Sequence, residues 1–112
     1  MTDCLFCKIA KKEIPSKLVY EDDRCLAFRD INPQAPTHIL IVPLKHIEKL
    51  SDMTAADKEL VGHLHWVARE IAAKEGLKHF RLIINNGEEA GQSVWHIHLH
   101  LLGGRPFSWP PG

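Results

Sequence analysis

No stretch of this chain is long and apolar enough to span a bilayer. Its first residues, Met1-Thr-Asp-Cys-Leu-Phe-Cys-Lys, lack the apolar core and cleavage site of a secretory leader. A cytoplasmic, non-membrane protein is the expectation. Cysteine is scarce and odd in number (Cys4, Cys7 and Cys25), and without a secretory context a disulfide framework is not expected. An excess of one charge sign is missing as well: 14 Lys+Arg balance 14 Asp+Glu, and no basic block stands out. A polyanion binder usually carries a basic stripe, so a nucleic acid polymer is not the expected partner. A small anion held by a few local groups is still compatible with this balance. Internal repeats and low-complexity linkers are absent too.

What remains is an ordinary globular composition, 45% hydrophobic and 25% charged over 112 residues. That length suits one domain, residues 1–112, with a core large enough to need no staples. Asp3 is placed to cap a short helix over residues 4–12, ended by Ile14-Pro15. Leu18 to Ile31 reads as a hairpin turning near Glu21-Asp22-Asp23. Asn32-Pro-Gln-Ala-Pro36 is a proline-bounded loop, and His38-Ile-Leu-Ile-Val42 is a strand rich in branched residues. Residues 54–75 make the clearest helix. Leu60, Leu64, Val67 and Ile71 recur at helical spacing, Thr54-x-x-Asp57 resembles a capping box, and Gly76 can end it. Strands follow at Phe80–Asn85 and Val94–Leu102. The sum is an α+β fold, a five-stranded antiparallel sheet with helices expected on one face. The apolar tail, Phe107-Ser-Trp-Pro-Pro-Gly112, is too short to fold alone, so Trp109 should pack on this subunit or on a neighbour.

The chemistry concentrates in His96-Ile97-His98-Leu99-His100. On a strand, alternate side chains share a face, which groups the three imidazoles and leaves Trp95, Ile97, Leu99 and Leu101 for the other side. A single zinc held by all three is awkward. Residues i and i+4 of a strand lie about 13 Å apart, whereas zinc takes nitrogen ligands at about 2.0–2.1 Å. Nucleophilic catalysis by one imidazole fits better, because histidine's ordinary pKa of about 6.5 leaves its neutral form abundant at neutral pH. Gly91-Gln92-Ser93, just upstream, offers backbone amides and a hydroxyl as a nest for phosphate. His38 supplies a fourth imidazole and Asp30 a carboxylate suited to ribose hydroxyls. His63, His65 and His79 are read as incidental.

These residues resemble the histidine triad (HIT) superfamily. The marks are His96-x-His98-x-His100 followed by Leu-Leu-Gly-Gly, Asp30-Ile-Asn-Pro-Gln-Ala-Pro-Thr-His38, Ile41-Val-Pro-Leu-Lys-His46 and Gly91-Gln-Ser-Val. The terminal Trp109-Pro-Pro-Gly112 looks like that of its nucleotide-binding branch. The resemblance implies a purine nucleoside phosphoramidase that cleaves the P–N bond of AMP- or GMP-amine conjugates through a nucleotidyl-histidine. It implies His98 as nucleophile, with Ser93, His100 and His38 handling the amine's proton and His96 supporting from the edge. It implies that Asn85, Gly91 and Gln92 orient the phosphate and Asp30 binds the ribose. Phe6, Ile9, Ile14, Phe28 and Ile31 would line the base pocket. It further implies a homodimer with a ten-stranded sheet and no cofactor required for catalysis.

Cys4-x-x-Cys7 departs from many eukaryotic members of the branch. Similar bacterial-type proteins bind zinc with such a pair plus two histidines, here His46 and His96 by position. A Cys2His2 set suits closed structural zinc, the alternative being two reduced, buried cysteines. Two other functions stay open: a nucleotide-binding regulatory protein with incidental hydrolysis, and a dinucleoside polyphosphate hydrolase or nucleotidyltransferase of the same superfamily.

Overall fold

Strand residues alternate between two faces, and in this chain both faces carry apolar side chains, so each face acquires its own helix. The computed structural model describes residues 4–112; Asp3, the expected helix cap, lies outside the described residues. The elements are α1 (Leu5–Ala10), β1 (Leu18–Glu21), β2 (Cys25–Arg29), β3 (Thr37–Pro43), α2 (Lys58–Lys74), β4 (Phe80–Ile83) and β5 (Leu99–Gly103). The strands form one five-stranded sheet in the order β1-β2-β3-β5-β4, every neighbour antiparallel. β1 and β4 are therefore its edges. The α+β architecture is the one expected.

One face carries Cys25, Ala27, Ile39, Ile41, Leu99 and Leu101, packed against Leu64, Val67, Ala68, Ile71 and Ala72 of α2. Burying a branched aliphatic side chain fully is worth roughly 1.5–3 kcal/mol, so this layer holds the fold. The other face carries Leu26, Phe28, Leu40 and Val42, packed against Phe6 and Ile9 of α1. Helices on a single face, the arrangement expected from the sequence, are thus corrected: α1 and α2 lie on opposite faces.

The start of α2 follows its sequence. Thr54 Oγ1 accepts from Ala56 N at 3.3 Å and Asp57 Oδ2 accepts from Thr54 N at 2.9 Å, completing a capping box. A single 3-10 turn at Ala55–Asp57 precedes the α-helix. Gly76 ends it with φ +74°. The hairpin turn is tied down from outside. Asp22 accepts from Arg24 N, Cys25 N, the Tyr20 hydroxyl and His63 Nε2 at 2.7–2.8 Å. His63, read as incidental, therefore pins β1–β2 to α2. Burial alone would raise the Asp22 carboxyl's pKa, but these four donors hold it well below the carboxylate range.

The last strand is shorter than expected. Pairing of β3 with β5 runs from Thr37↔Gly103 to Ile41↔Leu99 and stops. Continued in register, Ile97 would face Pro43, which has no N–H to give. Ile97 N donates instead to Ile47 O at 2.7 Å. Residues 94–98 leave the ladder, and this freedom shapes the site. The tail does not pack Trp109, which is 82% exposed.

Candidate functional site

His96 and His98 lie outside the ladder and His100 within β5, and the three histidines meet two different surroundings. His96 is fully buried at 0% exposure. Its Nε2–H donates to the main-chain oxygen of Pro43 at 2.8 Å, the acceptor that the interrupted strand frees. A carbonyl only accepts, so the proton sits on Nε2 and the lone pair on Nδ1. That lone pair faces Cys4 Sγ at 3.2 Å, Cys7 Sγ at 3.6 Å and His46 Nδ1 at 3.2 Å, with Cys7 Sγ 3.4 Å from His46 Nδ1. The four donor atoms all lie within 4.8 Å of one another. A tetrahedral zinc with Zn–N of about 2.05 Å and Zn–S of about 2.3 Å separates two nitrogens by about 3.3 Å and nitrogen from sulfur by about 3.6 Å. The observed spacings match those edges, so these residues fit a closed four-coordinate cation. Cys7 N also donates to Cys4 Sγ at 3.4 Å. The described residues give no metal cluster made of the three triad histidines together.

His98 and His100 line a cavity of about 550 Å³ beside α1. Phe6, Ile9, Ile14 and Phe28 form its apolar wall, with Asp30 and His38 on its polar side. Ile31, wholly exposed, stands at its lip, and Gly91 and Ser93 border it. The Phe6 ring meets Phe28 edge-on at 5.5 Å and His98 edge-on at 5.0 Å between centroids.

Hydrogen bonds fix the tautomers around the cavity. His98 Nδ1–H donates to the main-chain oxygen of His96 at 2.8 Å, which leaves the lone pair on Nε2. Gln34 N donates to His38 Nδ1 at 3.0 Å, so His38 carries its proton on Nε2, 2.9 Å from His100 Nδ1 and 3.4 Å from Asp30 Oδ2. Accepting at Nδ1, His100 bears its own proton on Nε2. That atom is the one buried side-chain nitrogen or oxygen without a partner among the described residues. It lines a cavity in which a ligand oxygen could accept from it.

Burial lowers the pKa of all these imidazoles. His96 is pushed down to about 4, chiefly by desolvation. His100 also falls to about 4, by desolvation and then by the neighbouring His98 and His38. His98 and His38 are lowered by burial, with Asp30 pulling the other way. All four are neutral at neutral pH. The site can therefore supply a nucleophilic nitrogen and a neutral N–H donor, but no standing imidazolium.

Most of the expected residues converge on this cavity. Three do not. His96 serves the thiol cluster. Asn85 stands behind Gly91, its Nδ2 3.5 Å from where a Cβ on that glycine would lie. Gln92 is buried at 3% exposure, its side chain donating to Glu48 O and Val94 O and accepting from Gly87 N. Its backbone N–H goes to Gly87 O, so Gln92 braces the loop and has no donor left for a ligand. Gly91 adopts φ +104°, a conformation that favours glycine, beside the cavity. Leu5, Leu40 and Val94 line the cavity and were not singled out from sequence. Leu40 was findable, being two residues from His38 on the same strand and so on the same face.

Comparison with known proteins sharpens this picture. The HIT domain family matches residues 11–107. A HIT-like protein of Synechocystis sp., described as uncharacterised, is 59% identical over 111 residues, covering 98% of this chain and 97% of its own. A maize relative, described as a 14 kDa zinc-binding protein, is 55% identical over 112 residues, covering 96% of this chain and 87% of its own. Among solved structures, a HIT family hydrolase from Legionella pneumophila superposes with a TM-score of 0.96 at 54% identity, covering 98% of this chain and all of that one. A histidine triad nucleotide-binding protein from Candida albicans gives 0.80 at 30% identity, covering 96% and 83%.

Proposed function

The chain belongs to the HIT family, and from that premise we propose that it is a purine nucleoside phosphoramidase with His98 as its nucleophile. The observation that carries the reading is the tautomer arrangement. His98 presents a lone pair on Nε2, and beside it His100 presents a buried Nε2–H that no protein atom accepts. A phosphorus with its oxygens, set between them, would satisfy both.

In the first step His98 Nε2 attacks phosphorus, and the P–N electron pair passes to the amine nitrogen, which takes a proton as it leaves. Because His100 is neutral in the free protein, it serves the phosphate oxygens as a hydrogen-bond donor, held in that tautomer by His38. Ser93, exposed at the cavity rim, supports proton delivery to the amine from solvent. The His98 ring then carries phosphorus on Nε2 and a proton on Nδ1, and the His96 carbonyl stabilises its positive charge. Water attacks phosphorus next and gives up a proton to solvent, the P–Nε2 pair returns to His98, which is again neutral, and the nucleoside monophosphate leaves. Phe6, Ile9, Ile14, Phe28 and Ile31 would hold the purine and Asp30 the ribose.

We assign Cys4, Cys7, His46 and His96 a structural zinc, supported by the fit of the donor spacings; it would hold α1 on the sheet. A homodimer is supported by the unpaired edge of β4 and by Phe80 and Trp109, which lie exposed in the single chain. Pairing β4 with its copy would give a ten-stranded sheet. The deciding experiment is turnover of an AMP-amine conjugate with mass spectrometry of the protein during reaction. A mass increase of one nucleotidyl group, absent in His98→Ala, is expected; turnover by a folded His98→Ala protein at the wild-type rate would end the proposal.

A further inference from the structure

α1 has two working sides. It spans only Leu5–Ala10, far too short to be stable by itself. Cys4 and Cys7, three residues apart, reach His96 and His46 through sulfur–nitrogen contacts of 3.2–3.6 Å. Phe6 and Ile9, also three apart, are buried and form the wall of the cavity where a purine is read to bind. The Phe6 ring touches both sets, with centroids 5.9 Å from His96 and 5.0 Å from His98. Whatever fixes one side of so short a helix also fixes the other. If either ligand orders α1, the second binds to a helix already in place and meets a smaller entropic cost.

We propose that α1 couples the two sites, so that a metal at Cys4, Cys7, His46 and His96 and a purine base on Phe6 and Ile9 each strengthen the binding of the other. This rests on the nucleotide reading above. Linkage makes the effect reciprocal: the factor by which zinc raises nucleotide affinity equals the factor by which nucleotide raises zinc affinity. A metal that only held the fold together would leave zinc affinity indifferent to an occupied cavity.

The test measures zinc affinity of the full chain by competition with a chromophoric chelator, in buffer alone, with saturating AMP, and with ribose 5-phosphate. AMP should raise zinc affinity on the order of tenfold. Ribose 5-phosphate, which carries the phosphate but no base, should leave it unchanged. In Phe6→Leu, with all four metal ligands retained, the AMP effect should shrink severalfold. Titration of AMP into zinc-loaded protein by calorimetry runs alongside. AMP binding with no change in zinc affinity overturns the coupling and leaves the nucleotide reading standing. Absence of AMP binding to the loaded protein overturns both. A protein that takes up no zinc overturns the coupling alone, as does an equal gain from ribose 5-phosphate.

Discussion

His98 Nδ1 donates to the main-chain oxygen of His96 at 2.8 Å, joining the half-buried thiol–imidazole cluster to the open cavity through one peptide group. The bond leaves the His98 lone pair on Nε2, the atom proposed to attack. It also places the two histidines in adjoining but separate sites, one facing Cys4 and Cys7 and the other facing Phe6 and the cavity. Triad members that look equivalent in the sequence are thereby distinguished.

Replacing the nucleophile should be far more damaging than replacing its neighbours. His98→Ala is expected to lower kcat on an AMP-amine conjugate by at least about 10³-fold, because no other unprotonated imidazole nitrogen faces the cavity beside the phosphate donor. Steady-state kinetics, with circular dichroism to establish folding, checks this.

His38 acts on His100 across β3 and β5. His38→Ala removes the N–H that holds His100 Nδ1 as an acceptor, so His100 loses its fixed tautomer. A drop in kcat of about 10–10²-fold is expected, smaller than the loss of a direct oxyanion donor. The effect should fall on kcat with KM nearly unchanged; a loss confined to KM would instead point to nucleotide binding.

Stability should fall with acid. His100 has a folded-state pKa of about 4 against an ordinary 6.5, so below pH 6.5 the unfolded chain binds more protons than the folded one. Above that pH neither state gains protons and the full stability is present. As pH drops from about 6.5 to about 4 it is lost, at up to roughly 1.4 kcal/mol per pH unit for this histidine. Urea midpoints at pH 7, 5.5 and 4.5 should decrease in that order, with a shallower decline in His100→Asn; equal midpoints would contradict the burial effect.

Asp22 should matter to folding and little to catalysis. Asp22→Ala strands the N–H groups of Arg24 and Cys25 and releases His63 and Tyr20. A loss of about 2–3 kcal/mol in unfolding free energy is expected. Activity per folded molecule, measured well below the melting temperature, should stay within about twofold, since Asp22 lies away from the cavity-lining set.

The proposed homodimer has a simple readout. Sedimentation equilibrium should give twice the mass of the 12.7 kDa chain. Phe80→Asp on the β4 edge, combined with Trp109→Ala, should shift the protein toward monomer by placing charge where two edges would pair.

Local chemistry carried much of this molecule in the sequence itself. The capping box at Thr54 and Asp57, the stop at Gly76, the hairpin turn near Asp22 and the branched run of β3 are all short-range effects, set by residues close in sequence. Leu64, Val67 and Ile71 marked the buried stripe of α2 for the same reason. The resemblance, read along the chain, pointed to eleven of the residues that line the cavity, among them Phe6, Asp30, His38, His98 and His100. Other features depended on partners distant in sequence, and only the tertiary structure decided them. Pro43 ends the ladder opposite Ile97, and residues 94–98 leave it, so that His96 Nε2 reaches the Pro43 carbonyl while its Nδ1 faces the thiols. The two helices went to opposite faces because both sides of β2 and β3 are apolar. Gln92 was drawn into its loop by three backbone groups, and His63 was drawn onto Asp22. Which nitrogen of each imidazole holds the proton is likewise a long-range property. It depends on a carbonyl, an amide or a second ring brought up by folding, and no spacing within the chain encodes it.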